Sequence, residues 1–369
     1  MTAVEHEAQV IGPGDGPVRL RPPRPSDADG VVAACRDEVT QHTLSTIPAD
    51  YSHADALQWI AAAQARGDTW AIADQGTDDF LGSIALTPLS SHACSVGYLV
   101  APEARGRGVA TAALRLLTGW AFNEGTRRVE LSHLTTNVAS MRVAMAAGFN
   151  HEGVRRGGNV GRDNSLRDTA VWGRLATDSG DPAVRVLPDL TGDALTDGIV
   201  ALTPLRDGDA DDMYAISQLP EVIATTVALT PPTIERCRKR CAEAGYRWLL
   251  GQEAQFVIRD AATMAFAGLI SLHGEGITRQ FMFGYDVARE FRGRGFAPRA
   301  VRLLTDWAFA EVHAARLVAG TAPDNLASQR VMEKAGFTRE GFERARLPRT
   351  DRPGRVDNVA WALLPDDPR

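Results

Sequence analysis

The feature that most constrains the fold of this chain is an internal repeat. Residues 97–124 align with residues 284–311 without a gap, and 19 of the 28 aligned residues are identical. Weaker similarity continues on both sides, at offsets of 182 to 189 residues. An offset of this size is far longer than the repeat unit of a solenoid. The sequence therefore predicts two copies of one domain.

The chain length and the weaker repeats give the domain bounds. A chain of 369 residues is long enough for two domains that each bury a core. The similarity begins at 18–30 and 200–212 and ends at 167–175 and 356–364. Between the copies, residues 177–198 are rich in Gly, Asp and Pro, which is typical of a linker. We therefore predict a flexible tail at 1–17, an N-terminal domain at 18–176, a linker at 177–198 and a C-terminal domain at 199–369.

The composition is that of a globular protein, with 44% hydrophobic and 23% charged residues and a net charge of −6. This charge argues against a nucleic-acid or anionic-membrane partner, because both attract basic surfaces. No run of 18 apolar residues occurs and the first residues lack signal-peptide features, so we expect a cytoplasmic protein without membrane spans. The four cysteines are too few for a disulfide scaffold. Cys237 and Cys241 lie four residues apart but lack two further ligands nearby, so no metal site is expected.

Hydrophobic periodicity and turn residues predict the elements of one repeat. The predicted strands of the first repeat are 18–23, 69–74, 80–89, 94–100, 127–134 and 169–175. The predicted helices are 26–37, 51–67, 109–124 and 137–148. This order predicts an α+β (mixed α/β) domain with a mixed, mostly antiparallel sheet flanked by helices, present twice.

A glycine-rich turn stands between a strand and a strongly amphipathic helix in each repeat. After the strand that ends at Val100, the turn Arg105-Gly106-Arg107-Gly108 leads directly into that helix. The first amides of a helix have no internal partner, and glycines let a ligand approach the backbone closely, so the turn can bind a pyrophosphate. The alternative is a turn that only caps the helix. No Lys follows Gly108 or Gly295, which excludes a Walker loop, and Thr111 replaces the third glycine of the dinucleotide fingerprint.

These residues resemble a known family. R-x-x-G-x-A, at 105–110 and 292–297, resembles the acyl-CoA signature of the GNAT superfamily of N-acetyltransferases. Together with N-x-x-S and G-F at matched spacing, it is similar to the branch that acetylates the N-terminal residue of ribosomal proteins. That branch also includes enzymes acting on small amines and antibiotics. The resemblance covers about 18–175 and 199–364 and implies two tandem GNAT domains that use acetyl-CoA or another acyl-CoA.

The resemblance also implies the cofactor-binding residues. Backbone groups of Val100 and Val287 would contact the pantetheine arm, beside a bulge that opens the sheet. Asn137 and Asn325 would hydrogen-bond the same arm. The pyrophosphate would lie on two loops, formed by Arg105, Gly106, Arg107, Gly108, Val109 and Ala110 and by Arg292, Gly293, Arg294, Gly295, Phe296 and Ala297.

The proton donor to the leaving thiolate is not the usual one. Many GNAT enzymes use a Tyr four residues before G-F, where this chain has Ala144 and Met332. Ser140 and Ser328 are the remaining catalytic candidates, as in the branch that the chain resembles. The alternative is that each serine bonds only the cofactor or its own helix.

The residues at the general-base positions also differ from those of the branch. Ser95 and Met282 stand where the branch often has a Glu on the strand, and Ala112 and Arg299 replace a Glu common in the following helix. His133 in the first half and Asp286 in the second are the other candidates. An acceptor α-amine, with a pKa of about 7.7–8.0, needs no more than water as a relay.

Two late segments are rich in arginine. Residues 155–168 and 344–355 are predicted as basic loops, either solvated or placed at the acceptor mouth, against the phosphates of the cofactor or against an acidic carrier protein. Asp168 and Asp357 match an Asp that the branch carries before its last strand, and we expect them to fix the turn.

The expected function is therefore acyl transfer, most simply of acetyl, from CoA to a primary amine by direct attack in a ternary complex. The acceptor would be a small molecule, an antibiotic or a peptide or protein N-terminus. One alternative is a longer acyl donor, or one borne on an acyl carrier protein, in natural-product biosynthesis. Another is a non-catalytic acyl-CoA-binding sensor or scaffold, which the missing carboxylates favour and the retained serines oppose. The sequence leaves open whether one or both halves are active, and whether the protein is a monomer or a homodimer.

Overall fold

The structure is a computed structural model that describes residues 10–11, 16–224, 230–348 and 354–368. The chain divides into two compact units, Met1–Val184 and Arg185–Arg369. This division falls inside the predicted linker at 177–198. The described residues contain no helix that is both long and apolar enough to cross a membrane.

In its described residues, the N-terminal unit contains one seven-stranded sheet with five α-helices. Its strands are β1 (Val18–Arg21), β2 (Thr69–Asp74), β3 (Phe80–Pro88), β4 (Ala93–Val100), β5 (Arg128–Leu134), β6 (Asn150–Val160) and β7 (Leu166–Leu175). Its helices are α1 (Ala28–Arg36), α2 (Glu38–Thr43), α3 (His53–Arg66), α4 (Val109–Asn123) and α5 (Val138–Ala146). The strand order is β1-β2-β3-β4-β5-β7-β6, and among these strands β4–β5 is the parallel pair.

The C-terminal unit repeats this plan in an eight-stranded sheet. Its strands are β8 (Leu195–Thr196), β9 (Val200–Pro204), β10 (Glu253–Asp260), β11 (Phe266–Gly274), β12 (Gln280–Val287), β13 (Arg316–Thr321), β14 (Thr338–Pro348) and β15 (Arg355–Leu363). The helices in its described residues are α6 (Ala210–Ser217), α7 (Pro220–Ile223), α8 (Ile234–Ala242), α9 (Ala244–Leu249), α10 (Phe296–Ala310) and α11 (Leu326–Lys334). The strand order is β14-β15-β13-β12-β11-β10-β9-β8, and β12–β13 is the parallel pair.

Local sequence explains where the main helices begin and end. The side chain of Ser52 accepts a hydrogen bond from the amide of Asp55, whose carboxylate accepts one from the amide of Ser52, so a capping box starts α3. Gly67 ends that helix in the left-handed region, with φ of 69°. Helix α4 buries Leu114 and Leu117 completely, which explains its predicted amphipathic pattern.

The segment predicted as a linker is divided between the two units. The amide of Ala183 donates to the carbonyl of Met145 at 3.0 Å, within the N-terminal unit. Leu187 is 1% exposed and belongs to the core of the C-terminal unit, where Trp248 Nε1 donates to the carbonyl of Pro188 at 2.9 Å. The predicted domain bounds remain a prediction at the level of single residues.

Most of the predicted tail at 1–17 lies outside the described residues. Within it, Ile11 exchanges two backbone hydrogen bonds of 2.8 Å with Leu20, so the chain is held against β1 at that point.

The prediction of basic loops at 155–168 and 344–355 was wrong for most of their described residues. The first segment continues β6 to Val160 and enters β7 at Leu166, and the second continues β14 to Pro348. Each pair has a register shift, between Arg155 and Asn159 in the first hairpin, so the strands are irregular but paired. Pairing with a neighbouring strand outweighs the low β propensity of Gly and the polar character of Arg. Residues 349–353 lie outside the described part.

The cysteine pair considered as metal ligands is part of a small core. Cys237 and Cys241 are buried on α8, and Cys241 Sγ lies 3.9 Å from Met213 Sδ. Burial raises the pKa of the Cys241 thiol to about 12, so this thiol stays protonated. Among the described residues, no group of three or more His, Cys, Asp or Glu side chains could hold a metal ion.

Candidate active site

The central pair of strands in each unit separates before it ends. In the N-terminal unit β4 pairs with β5 from Ala93–Arg128 to Val96–Leu131, and the rest of β4 has no partner on β5. In the C-terminal unit the β12–β13 pairing ends at Met282–Val318. Each sheet therefore opens in its middle, at the end from which the next helix starts.

The backbone of β4 presents free amides to this opening. Successive residues of a strand turn their amides to opposite sides. Because the amide of Ala101 donates to Leu81 of β3, at 2.9 Å, the amides of Tyr98 and Val100 point the other way, towards β5. In the second half, Ala288 donates to Ala267 at 2.8 Å, so Tyr285 and Val287 have the same orientation. The opening is thus lined by amide donors that no β5 or β13 ladder uses.

Beyond the opening, the glycine loops form open cradles at the starts of α4 and α10. Gly106 and Gly108 have φ of 73° and 76°, in the left-handed region, and a Cβ added to either would meet nothing within 4 Å. Gly293 and Gly295 have φ of 72° and 81°. Gly108 and Gly295 are the N-caps of their helices, and neither helix has a side-chain cap. The first helix amides therefore face open space, as anion binding requires.

The side chains of the predicted phosphate loops differ in how exposed they are to solvent. Arg107 is exposed, whereas Val109 and Phe296 are buried, so these last two can offer a ligand only their amides. Arg294 lies over the rings of Phe291 and Phe296, at 5.2 and 5.4 Å from their centroids. Ala110 and Ala297 are half-buried in the first turns of α4 and α10.

The side chains of Arg105 and Arg292 bond to other groups of their own unit. Arg105 Nε donates to the carbonyl of Val100 at 3.3 Å, and its guanidinium pairs with Asp37 at 2.6 Å. Arg292 Nε donates to the carbonyl of Val287 at 2.8 Å and pairs with Glu221 at 2.9 Å. These arginines hold the strand end against α2 or α7, which fixes the loop whose amides remain available.

The predicted pantetheine-binding and catalytic residues meet at the start of α5 and of α11. Asn137 is the N-cap of α5, and its Oδ1 accepts from the amide of Ser140 at 3.0 Å. Asn325 and Ser328 repeat this contact at 3.1 Å. Because Oδ1 is engaged, the Nδ2 amide hydrogens are the groups left for a ligand. Each serine lies at the helix end that faces the opening.

Sequence reasoning missed a tyrosine beside each serine. Tyr285 Oη lies 2.9 Å from Ser328 Oγ. In the N-terminal unit, Tyr98 Oη is buried without a well-aligned hydrogen bond in the described residues, and Ser140 lies beside it. Burial raises the pKa of both phenols to about 12, and the neighbouring serine hydroxyl opposes part of the rise. One sequence signal could have indicated these tyrosines: the same residue type occurs at the same position of both repeats, two positions after the buried Val96 and Phe283.

His133 lies on β5 across the opening from Tyr98. It is 8% exposed, stacks on Trp172 with ring centroids 6.0 Å apart, and its Nδ1 lies 2.8 Å from the carbonyl of Leu134. Since a carbonyl only accepts, Nδ1 carries the proton and Nε2 has a lone pair, which finds no partner in the described residues. Burial lowers the pKa of His133, which keeps the ring neutral. The equivalent residue of the second half is Thr321.

Asp286 distinguishes the second half from the first, which has Leu99 at the equivalent position. It lies near the end of β12, beyond the last residue paired with β13. Burial raises the pKa of its carboxyl, and Arg292 opposes part of that rise. Asp286 is thus a carboxylate at the edge of the second opening. Ser95 and Met282, which replace the expected Glu, lie within the paired parts of β4 and β12.

Asp168 and Asp357 fix the two late hairpins. Asp168 Oδ1 accepts from the amide of Gly157 at 2.9 Å, and Asp357 Oδ1 accepts from Ala345 at 2.8 Å. Both lie within the last strand rather than before it, at the register shifts of β6–β7 and β14–β15. Their carboxylates complete the ladder where it is interrupted.

A cleft of about 600 Å³ occupies the opening of the N-terminal unit. It extends from the glycine loop, past Asn137 and Ser140, to Gly158 and Asn159 of β6. Residues of α2 form another part of its wall: Val39, Thr40, Thr43 and Leu44. Among the described residues that line it, the permanently charged side chains are Arg105 and Arg142, and none is Asp or Glu.

Comparison with known proteins assigns this arrangement to a family. The acetyltransferase (GNAT) domain matches residues 18–150 and 200–338, which together are more than half of the chain. The chain belongs to the GNAT acetyltransferase family. The prediction of two tandem GNAT domains of the α+β class is thereby confirmed.

Individual relatives are similar over parts of the chain. The "Probable N-acetyltransferase YjcK" of Bacillus subtilis (strain 168) is 39% identical over 114 residues, which are 30% of this chain and 63% of that relative, less than two thirds of its length. The "Uncharacterized N-acetyltransferase YoaA" of the same organism is 28% identical over 144 residues, 37% of this chain and 81% of that one. A solved structure of a ribosomal-protein-S5-alanine acetyltransferase from Vibrio fischeri shares 19% identity at a TM-score of 0.44, covering 48% of this chain and 98% of that one.

Proposed function

We propose that this protein is an acyl-CoA-dependent N-acyltransferase, most simply an N-acetyltransferase, that acts on a primary amine. The observation that carries the proposal is the opening of each sheet next to an uncapped helix start with a glycine cradle. Acyl-CoA carries a thioester at one end of a long arm and a pyrophosphate towards the other. The free strand amides suit the thioester, and the glycine cradle suits the pyrophosphate. Family membership of both halves supports the same conclusion.

Each group at the opening has a role in this reaction. The loop amides and the starts of α4 and α10 would bind the pyrophosphate, and Asn137 and Asn325 would bind the pantetheine arm. The amides of Tyr98 and Val100 can donate to the thioester carbonyl oxygen as negative charge develops there. Ser140 and Ser328 would donate a proton to the sulfur. When bound, the CoA thioester supplies the activated acyl group.

The lining of the first cleft favours a weakly basic acceptor. A polyamine or an aminoglycoside carries several ammonium groups, which need carboxylate partners when they are taken from water. The described lining offers arginines and no carboxylate. An amine with a pKa near 8, such as a peptide α-amine, is about half neutral at pH 8 and needs only water to remove its proton on attack. We therefore expect the first half to turn over peptide N-termini and not polycations.

The test is release of free thiol from acetyl-CoA in the presence of a panel of acceptors. The panel contains peptides with small N-terminal residues, spermidine and an aminoglycoside, all at pH 8. We expect thiol release with at least one peptide, together with an acetylated product of the correct mass. If none of the acceptors leads to thiol release although calorimetry shows that CoA binds, the result would instead favour a non-catalytic acyl-CoA sensor.

Matched glycine variants connect activity with the loops. Gly106→Ala and Gly293→Ala place a methyl group in each cradle. Gly125→Ala and Gly198→Ala introduce a Cβ at equally left-handed positions, with φ of 91° and 84° and nothing within 4 Å. We expect the loop variants to lose acetyl-CoA affinity and the control variants to retain it. Equal losses in both sets would mean that backbone strain alone, not phosphate binding, explains the effect.

A further inference from the structure

Each candidate proton donor is accompanied by a buried phenol. Tyr285 lies on β12 three residues past the last β13 pair, and Tyr98 lies on β4 two residues past the last β5 pair. The two tyrosines occupy the same position of the repeat, at an offset of 187 residues. The opening of the sheet therefore brings a tyrosine beside the serine of the facing helix in both halves.

The tyrosine and serine hydroxyls are within hydrogen-bond distance in the second half, and they are neighbours in the first. Tyr285 Oη and Ser328 Oγ are 2.9 Å apart, a normal length for a hydrogen bond between hydroxyls. Tyr98 Oη is fully buried beside Ser140 and has no well-aligned partner in the described residues. A buried hydroxyl without a partner costs free energy, so a small adjustment that restores the Ser140 contact is favoured.

The acidities of the two hydroxyls give the direction of the bond. A phenol is a much stronger acid than an alkyl alcohol, so the tyrosine donates and the serine oxygen accepts. The hydroxyl hydrogen of the serine is then not used in this bond. In the described residues neither serine hydroxyl donates to a helix carbonyl, which is the usual competitor at such a position. The hydrogen can therefore point into the opening.

We propose that Tyr98 and Tyr285 are positioning residues that direct the proton of Ser140 and Ser328 at the leaving sulfur. This inference rests on the proposed transferase function. As the C–N bond forms and the C–S bond breaks, the serine gives its proton to the sulfur. The amine gives one proton to water, and water returns one to the serine. The tyrosine keeps its own proton throughout and stabilises the serine oxygen by donating to it.

The electrostatics agree with a donor that does not ionise. Burial raises the pKa of Tyr98 and Tyr285 to about 12, so both phenols are protonated at neutral pH. A tyrosine that lost its proton could no longer donate to the serine. The high pKa thus suits positioning and disfavours direct acid catalysis by the tyrosine.

The kinetic test compares tyrosine and serine variants in the full chain. Because one or both halves can be active, the variants are made in both at once: Y98F/Y285F, S140A/S328A and the quadruple variant. We expect Y98F/Y285F to lower kcat about two- to tenfold, the worth of one hydrogen bond, with an unchanged KM for acetyl-CoA. The quadruple variant should be no slower than S140A/S328A. Multiplying effects, or a changed KM with an unchanged kcat, would overturn the proposal. Tyr214→Phe, at a partly exposed position outside the site, is the matched control.

A spectroscopic test does not depend on turnover. The chain has five tyrosines, so 3-fluorotyrosine labelling gives five fluorine NMR signals that single Tyr→Phe variants assign. We expect S140A to shift the Tyr98 signal and S328A to shift the Tyr285 signal, while Tyr51 stays unchanged. Unmoved Tyr98 and Tyr285 signals would overturn the contact. If the wild-type protein transfers no acyl group to any acceptor, the proposed function fails, whereas these fluorine shifts judge the tyrosine–serine contact independently.

Discussion

At the scale of residues, Gly82 and Gly268 lie where a neighbouring strand passes close to the strand end that carries the free amides. A Cβ built on Gly82 would collide with the carbonyl oxygen of Leu99 and lie 3.0 Å from the Cα of Val100. A Cβ on Gly268 would collide in the same way with the carbonyl of Asp286 and lie 3.0 Å from Val287 Cα. The absence of a side chain thus lets β3 and β11 approach the strand ends that carry the free amides.

We predict that Gly82→Ala destabilises the protein by about 1–3 kcal/mol, because the β4 backbone must move to make room. Chemical denaturation measures the effect. Gly97→Ala is the control, since this exposed glycine lies on β4 itself and its added Cβ would meet nothing within 4 Å. A Gly82→Ala protein as stable as the Gly97→Ala protein would show that the close approach is not required.

His133 makes the stability of the N-terminal unit depend on pH. Burial lowers its pKa below the unfolded value of about 6.5, so the unfolded chain binds the proton more readily. The stabilisation is therefore complete above about pH 6.5 and is lost as the pH falls below it. His151 of β6 is an ionisable group whose charge opposes this protonation, and Tyr98 of β4 and Arg142 of α5 line the same cleft as His133.

The second half suggests the substitution that tests this dependence. There Thr321 Oγ1 accepts from Trp361 Nε1 at 2.9 Å, whereas Trp172 Nε1 next to His133 has no partner in the described residues. We predict that the free energy of unfolding falls less in the His133→Thr protein than in the wild type when the pH is lowered from 7.5 to 5.5. Denaturation at both pH values measures this, with His92→Thr on an exposed turn as the control. An unchanged pH dependence would mean that another group is responsible.

At the scale of elements, the β6–β7 hairpin is attached to the end of α2 and to the segment that follows it. Arg162 donates to the carbonyls of Gln41, at 3.0 Å, and of Ile47. Ser45 Oγ donates to the carbonyl of Val160 at 2.7 Å. These bonds connect two parts of the wall of the first cleft.

We predict that Arg162→Ala frees residues 41–47 and accelerates their amide hydrogen exchange, because several carbonyls lose their shared donor. If the cleft binds the acceptor, its KM should also rise. Arg156→Ala, an exposed arginine of the same hairpin, is the matched control. Exchange rates that match those of the control would show that the hairpin does not hold this segment.

The elements that could be predicted from sequence are those whose signal is local. Helix α4, predicted at 109–124 and observed at Val109–Asn123, has a long apolar face and a glycine N-cap. Strand β6 was missed because its Arg- and Gly-rich sequence becomes a strand only by pairing with β7. Tyr98 was missed for a related reason. Its direction towards Ser140 depends on where β4 leaves β5, and that register is a property of two distant segments.

At the scale of the whole molecule, the two halves share one set of candidate cofactor-binding groups and differ in the residues around it. Both retain the opening, the glycine cradle, the Asn cap and the serine with its tyrosine. They differ at His133 and Thr321 and at Leu99 and Asp286, which lie on the strands that border the opening. Shared cofactor groups with different neighbours are expected of two acyl-CoA sites with different acceptors, or of one catalytic and one auxiliary site.

The most direct test of this account is calorimetric titration of the full chain with coenzyme A. The account predicts two sites per chain in the wild type. Gly106→Ala/Gly108→Ala should remove the N-terminal site and Gly293→Ala/Gly295→Ala the C-terminal site, each leaving one. No binding to the wild type, or two sites retained in both loop variants, would contradict the claim that each half binds a nucleotide pyrophosphate through the amides of its glycine loop.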